Sequence, residues 1–319
     1  MILTLTANPS HDRTVTLDAP LERGSVHRVA SVLSQAGGKG VNISRACVAA
    51  GIPSLAVLPA PQDDPFVHEL LAAGIDARPV PSAHAPRVNI TVTEPDGTTT
   101  KLNSPGADAT PELLSALAES LHLRAGTADW VVLAGSLPPA TPDRWYADLV
   151  ALLAESPAKV AVDTSDAALR ALVDALPGPA PDLMKPNGAE LASLTGQDPD
   201  LLEADPLAAA NAARLLVDKG VGTVLVTLGP HGAVLVDASG AWHATPPPTT
   251  VVSTVGAGDS SLFGYLLGDL QRRSTDHRLA LAVAYGSAAA GLPGTTIPCP
   301  AQVHPDLVSV HELFHTQGG

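Results

Sequence analysis

Apolar positions along the chain fall into two alternating kinds of segment. Short runs of Val, Ile, Leu and Ala at residues 2–5, 54–58, 130–134, 160–163, 183–185 and 224–227 carry little polar interruption, and they predict short strands buried on both faces. Between them lie longer stretches at 40–51, 65–73, 111–121, 142–154, 167–176 and 207–219, where apolar residues recur at three- and four-residue spacing. These predict helices, several opening with Pro or an acidic first turn. The alternation predicts an α/β fold: a mostly parallel central sheet covered by helices on both faces. Ligands of such sheets sit at the carboxyl ends of the strands.

Two segments break the alternation. Residues 14–17 with 26–33, and 87–93 with 98–103, read as β-ribbons, the second closed by Pro95-Asp96-Gly97. Such ribbons do not fit inside a helix-covered parallel sheet. They predict a small separate sheet, a lid over the site, drawn from about residues 12–34 and 86–103. Residues 233–237 and 241–244, around Ala238-Ser239-Gly240, read as a later hairpin. The whole chain, 1–319, is read as one domain carrying this lid.

Charge narrows the partners. The 18 basic residues against 32 acidic ones give a formal net charge of −14. That surface repels phosphate backbones and anionic lipids, so no nucleic acid and no membrane is expected as a partner. The longest weakly polar stretch, 279–292, contains Tyr285, Gly286 and Ser287, and falls short of the roughly 20 apolar residues of a membrane span. The apolar start, 2–5, has no basic lead. Cys47 and Cys299 make no disulfide framework, which points to the reducing cytoplasm. An anionic substrate must therefore be held by a few local cations. The chain has 5 lysines, so a lysine set between glycines is informative.

The strongest local motif is Thr254-Val255-Gly256-Ala257-Gly258-Asp259-Ser260-Ser261, followed by Leu262, Phe263, Leu266, Leu267 and Leu270 at helical spacing. The glycines let backbone N–H groups converge, and the helix N-terminus adds its dipole. The result is a cradle for an anion or for charge on a transferring phosphoryl group. Asp259 at its mouth can take or aim the proton of an attacking hydroxyl; the plainer alternative is a Gly turn with Asp as N-cap. Ser261 stands where a dinucleotide fingerprint needs a third Gly, and Gly38-Lys39 is followed by Gly40, so neither that fingerprint nor a Walker A loop is present.

Other motifs line up at strand ends. In Ala36-Gly37-Gly38-Lys39-Gly40-Val41-Asn42, Gly38 and its neighbours let a phosphate or sugar approach the backbone, with Lys39 as point charge and Asn42 for hydroxyls. A flexible turn is the alternative. Arg87 opens a lid strand and can fork onto a phosphate, with Lys101 and Asn103 on the partner strand; surface solubility is the other reading. Gly135-Ser136-Leu137-Pro138 follows the strand at 130–134 as a ligand loop or a simple turn. Lys185-Pro186-Asn187 leads to Glu190, and Asn187 and Glu190 share a helix face. They can organise a hydrated Mg²⁺, or form a capping box. Thr227-Leu228-Gly229-Pro230-His231-Gly232 ends another strand in a Gly loop suited to nucleotide phosphates. His311-Glu312-Leu313-Phe314-His315 matches a two-His zinc helix, but no third ligand follows it, and the zinc reading is set aside.

The order Asn8-Pro9 with Asp12-Arg13, Gly37-Gly38-Lys39-Gly40-Val41-Asn42, Gly135-Ser136-Leu137-Pro138, Lys185-Pro186-Asn187-Gly188-Ala189-Glu190 and Gly256-Ala257-Gly258-Asp259 resembles the PfkB (ribokinase-like) carbohydrate kinases over nearly the whole chain. More narrowly it is similar to the branch of 1-phosphofructokinases and tagatose-6-phosphate kinases. The resemblance implies a three-layer αβα domain with a small β lid, using ATP and Mg²⁺. It implies Asp259 as catalytic base and Gly256, Ala257 and Gly258 as anion hole. Asp12, Asn42 and Ser136 would hold sugar hydroxyls, with Gly38 and Asn103 beside the substrate. Lys39 and Arg87 would take the phosphate already on the sugar, with Arg28 and Lys101 as further cations. Lys185, Asn187 and Glu190 would serve Mg²⁺ and the ATP phosphates; Thr227, Gly229, Gly232 and Gly258 would line the nucleotide, and Ser287 the adenine.

The implied reaction is phosphorylation of a ketohexose monophosphate by ATP, fructose 1-phosphate to fructose 1,6-bisphosphate first, with tagatose-6-phosphate kinase or 6-phosphofructokinase as alternatives. A non-catalytic sugar-phosphate sensor is the reading from another class. A homodimer formed through the lid is also implied. Two departures, Asp166 where the branch usually has Gly and Ser10-His11 in place of a small-plus-apolar pair, bear on substrate identity rather than reaction type.

Overall fold

Alternation along residues 130–134 sets the layers. Val131 and Leu133 join one hydrophobic core, while Trp130, Val132 and Ala134 join another, because successive strand residues point to opposite faces. The computed structural model describes residues 1–315. Its first half lays down β1 (Ile2–Thr6), β2 (Ser10–Thr16), β3 (Ser31–Gly37), α1 (Lys39–Ala49), β4 (Ser54–Ala60), α2 (Pro65–Ala72), β5 (Asp76–Pro81), β6 (Arg87–Thr93), β7 (Thr99–Asn103), α3 (Pro111–Ala125), β8 (Trp130–Ala134) and α4 (Trp145–Leu153). Then come β9 (Lys159–Asp163), α5 (Asp166–Asp174), β10 (Leu183–Met184), α6 (Gly188–Thr195), α7 (Pro199–Ala204), α8 (Pro206–Val217), β11 (Thr223–Thr227), β12 (Ala233–Asp237), β13 (Gly240–Thr245), α9 (Ala257–Leu270), α10 (Thr275–Ala290) and β14 (Ser309–His315).

Among the described residues the large sheet has 10 strands, ordered β14-β13-β12-β11-β10-β9-β8-β1-β4-β5. The strands from β11 to β5 run parallel, and β12, β13 and β14 complete it antiparallel. Leu117, Tyr146, Leu172, Leu191 and Ala213 from α3 to α8 cover one face. Ile43, Phe263, Leu266 and Leu279 from α1, α9 and α10 cover the other, and α2 adds Phe66 and Leu70 over β4. The helices α2, α3, α7 and α8 start as Pro-led turns, each with Asp64, Thr110, Asp198 or Asp205 accepting a first-turn N–H. The parallel strands end level. Thr6 pairs with Ala134 and Ala134 with Asp163, while Val162 pairs with Met184 and Met184 with Val224.

The second sheet is ordered β3-β2-β6-β7. Its register puts Asp12, Gln35, Asn89 and Asn103 on one face. Val15, Val32, Val92, Ile90 and Leu102 lie on the other. One face is thus mainly polar and the other mainly apolar, with Arg13, Ser34 and Thr100 set among the apolar side chains.

Several expectations need correction. The first ribbon is β2 with β3, paired from Ser10↔Gly37 to Thr16↔Ser31, not 14–17 with 26–33. The strand must run on to Gly37 because that residue delivers the chain into α1. β5 and β14 were not foreseen, and α4 begins at Trp145 rather than at 142. The stretch His311–His315 is part of an edge strand, with His311 opposite His243 and His315 opposite Gly240. Among the described residues no three His, Cys, Asp or Glu gather to hold a metal, and residues 316–319 lie outside them. No helix of the described residues is long and apolar enough to cross a membrane.

Candidate active site

The level strand ends bring three charged side chains together. Asp163 closes β9 and is fully buried. Lys185 follows β10 one register step away, its N–H bonded to the carbonyl of Val162 at 3.1 Å. Lys39 opens α1 from the other side. The Lys39 Nζ lies 2.6 Å from Asp163 Oδ1, and the Lys185 Nζ 3.3 Å from Asp163 Oδ2. Burial alone would raise the Asp163 carboxyl, but Lys185 and Lys39 override it and hold it below the ordinary range. Burial opposes the charge on Lys39, yet Asp163, Asp259 and Glu190 together raise its pKa.

The N-terminus of α9 faces this cluster. Gly256 supplies the turn with φ of 80°, and no side chain caps the helix. The amides of the first turn therefore lack intrahelical partners, as an anion site requires, and the Ala257 N–H makes only a long 3.4 Å bond back to the Thr254 carbonyl. A Cβ on Gly258 would stand 3.3 Å from the Lys185 Nζ, which places that ammonium against the turn. Asp259 is buried with 6% of its surface exposed, and Asn42 Nδ2 donates to its Oδ2 at 2.8 Å. Burial is the largest influence on Asp259 and raises its pKa, with Lys39 and the Asn42 hydrogen bond acting against it. The arrangement offers an oriented carboxylate, converging N–H groups and two ammoniums, the groups that proton removal and a polyanion need.

The lid contributes the other wall. Asp12 accepts from Ser10 Oγ at 2.8 Å and from Asn89 Nδ2 at 3.1 Å. Gly37 is required beside it, because a Cβ there would overlap the Asp12 carboxylate. Arg87 Nη1 donates to the Ser104 carbonyl at 2.9 Å, and Nη2 reaches Ser136 Oγ at 3.4 Å. Burial lowers the Arg87 pKa and Asp12 counters it. Behind Ser136, the Gly135 carbonyl accepts from Tyr146 at 3.1 Å and from Thr164 at 3.0 Å, so that loop is anchored.

On the remaining side, Asn187 and Glu190 form the capping box. Asn187 Oδ1 accepts the Glu190 N–H at 2.8 Å, and Glu190 Oε2 accepts the Asn187 N–H at 2.9 Å. The Asn187 oxygen is therefore engaged by the helix end rather than free for a metal, while Glu190 keeps Oε1. Thr227 bridges to Asn187. Gly229 and Gly232 turn the chain next to it with φ of 53° and 88°. Ser287 bonds to Thr249 at 2.6 Å in a cleft of about 250 Å³ walled by Pro248, Ala284, Gln302 and Leu307.

Lys39, Asn42, Lys185, Gly258 and Asp259 thus stand together, with Asp12, Arg87 and Ser136 on the lid side. Asn42, expected at sugar hydroxyls, gives its amide to Asp259; Lys39, expected at the sugar phosphate, is paired to Asp163. Arg28 lies in the exposed loop between β2 and β3, and Lys101 and Asn103 are exposed on β7. Among the described residues these three form no side-chain hydrogen bond or ion pair with the cluster. Sequence reasoning missed Asp163. Its signal was present, an acid ending a buried apolar strand, but the same pattern precedes any helix start.

Residues 6–302 match the family described as pfkB family carbohydrate kinase. The chain is 37% identical over 306 residues to a 1-phosphofructokinase of Rhodobacter capsulatus, covering 95% of this chain and 94% of the relative. It is 34% identical over 290 residues to the 1-phosphofructokinase of Escherichia coli (strain K12), covering 90% of each. The structure superposes on phosphofructokinase-2 from Escherichia coli, solved with substrates and products, with a TM-score of 0.86 and 28% identity over 94% of this chain and 96% of that one. With a family match running almost end to end and these relatives sharing the layered fold, the chain belongs to the pfkB family of carbohydrate kinases and is a sugar-phosphate kinase that transfers phosphate to a hydroxyl group.

Proposed function

We propose that this kinase phosphorylates fructose 1-phosphate at its 6-hydroxyl, with ATP as donor and Mg²⁺ as the accompanying ion. The observation that carries the reading is the buried Asp259 carboxylate, held by Asn42 beside the uncapped turn of α9. Asp259 takes the proton of the 6-hydroxyl as its oxygen bonds to the terminal phosphorus and the bridging P–O bond of ATP breaks. The amides of Gly256, Ala257 and Gly258 meet the phosphoryl oxygens. Arg87 takes the phosphate at the far end of the sugar, and Asp12 and Ser136 orient hydroxyls. Arg28, Lys101 and Asn103 reach the substrate only as the lid closes and expels water.

Mg²⁺ prefers few direct protein ligands and several waters. The one carboxylate oxygen that the capping box leaves on Glu190 suits such a shell, and Lys185, Thr227, Gly229 and Gly232 border the path of the nucleotide phosphates. When bound, the ion supplies charge neutralisation on those phosphates. Ser287 and its cleft take the adenine. The apolar lid face carrying Val32 and Leu102, 56% and 57% exposed, is covered by a second copy in a homodimer. The surroundings are the cytoplasm, a reading supported by Cys47 and Cys299 standing as free thiols.

The choice of sugar rests on the relatives named 1-phosphofructokinase. ADP release measured with fructose 1-phosphate, tagatose 6-phosphate and fructose 6-phosphate tests it. A kcat/KM highest for fructose 1-phosphate is expected; a preference for either other sugar replaces the substrate but keeps the site. Asp259→Asn is expected to lower kcat by about three orders of magnitude or more while ATP still binds. Turnover near that of the parent enzyme would remove Asp259 from the reaction.

A further inference from the structure

We propose that Asp163 is a positioning residue for phosphoryl transfer: its buried carboxylate holds Lys39 and Lys185 together against the oxygens of the phosphoryl group in flight. The proposal rests on the reading of the α9 turn as the transfer site. Two of the chain's 5 lysines share this one carboxylate, and two ammoniums gathered without it would repel each other. Asp163 is 0% exposed, so its charge is compensated by these neighbours and not by water.

The pairing is unequal, and the inequality is informative. Lys39 makes a short hydrogen bond of 2.6 Å to Oδ1 and keeps about a third of its side chain exposed. Lys185 stands at a longer 3.3 Å from Oδ2. An ammonium has three donors. Lys185 is therefore drawn to the site by charge while at least two of its N–H groups stay free of Asp163, and Gly258 puts it beside the α9 amides. Every charged group around the pair is accounted for: Asp259 and Glu190 face Lys39 as well, and Asp163 also pushes up the hydroxyl of the fully buried Tyr146 after burial itself. Lys39 and Lys185 offset Asp163 and the carboxylates of Asp259 and Glu190 beside them, and they set two ammoniums next to the turn where the charge of a phosphoryl group in flight spreads over its equatorial oxygens. A purely structural ion pair would have no reason to leave one cation half-bonded at a ligand face.

Asp163→Asn keeps the shape and removes the charge. We expect kcat to fall by about 100- to 1,000-fold, with KM for both substrates within about threefold. Calorimetry then compares ADP alone with ADP, aluminium fluoride and fructose 1-phosphate, a mimic of the phosphoryl group in flight, both with magnesium. The variant is expected to bind ADP like the parent and to lose affinity for the mimic in proportion to kcat. Parent-like kcat, or equal loss of ADP and mimic affinity, would overturn the proposal. If Asp163→Asn does not fold, Asp163→Glu, which shifts the charge by one methylene, takes its place under the same two outcomes. Asp259→Asn is run alongside. Retained turnover in that control sinks the site reading itself, whereas an inactive control beside a parent-like Asp163→Asn sinks this proposal alone.

Discussion

Asn42 and Asp259 meet across 217 positions of chain through one hydrogen bond of 2.8 Å. A hydrogen bond to a charged group is worth about 1.5–3 kcal/mol, so Asn42→Ala is expected to lower kcat by about 10- to 100-fold. The pH dependence follows from the same pair. Burial raises the Asp259 pKa above its ordinary 3.8, and only the carboxylate accepts a proton. Turnover therefore declines on the acid side as pH falls through that raised value. Without the Asn42 donor the carboxylate loses support, and the acid limb moves to higher pH still. Stability has the opposite sign: the folded state binds the extra proton between 3.8 and the raised value, so this group's contribution to stability shrinks as pH rises through that window. Profiles of kcat against pH for the parent and Asn42→Ala check the shift; superimposable acid limbs would contradict it.

At the scale of elements, α6 and α9 separate function from fold. Asn187→Ala breaks the capping box of α6 and is expected to cost about 1 kcal/mol, read as a small drop in the midpoint of thermal unfolding. At the far end of α9, Asp269 is 9% exposed at its side chain and accepts from Trp130 Nε1 at 2.9 Å, Lys159 Nζ at 2.9 Å and Arg278 Nη1 at 3.0 Å. It ties β8, β9 and α10 to α9. Asp269→Ala removes the acceptor of the buried Trp130 N–H and of two partly exposed cations and is expected to cost about 1–3 kcal/mol in a denaturant titration, with KM unchanged. Such elements differ in how far their residues announce them. Strands such as β1, β8 and β11, buried on both faces, show as apolar runs with little polar interruption, and the motifs at their ends were legible with them. β5 hides behind Pro79 and Pro81, which only an edge strand tolerates. β14 reads as polar because half its residues face outward at the other edge. The Asp163 cluster was not legible because it is made by register between β9 and β10, a property of pairing and not of spacing.

For the whole molecule, the lid's apolar face sets the expected assembly. Leu102→Glu places a charge on it and is expected to convert a dimer to monomers in light scattering, while thermal unfolding of the large sheet stays near the parent's. A monomeric parent would contradict that reading. The long reach between Asn42 and Asp259 has its own consequence during synthesis. The lysines, the lid and all of the parallel strands emerge before the turn at Gly256 does. Until that turn leaves the ribosome, a growing chain holds no oriented carboxylate next to converging amides. Nascent molecules therefore cannot squander nucleotide, and competence arrives abruptly, once the parallel strands that support it have already been translated.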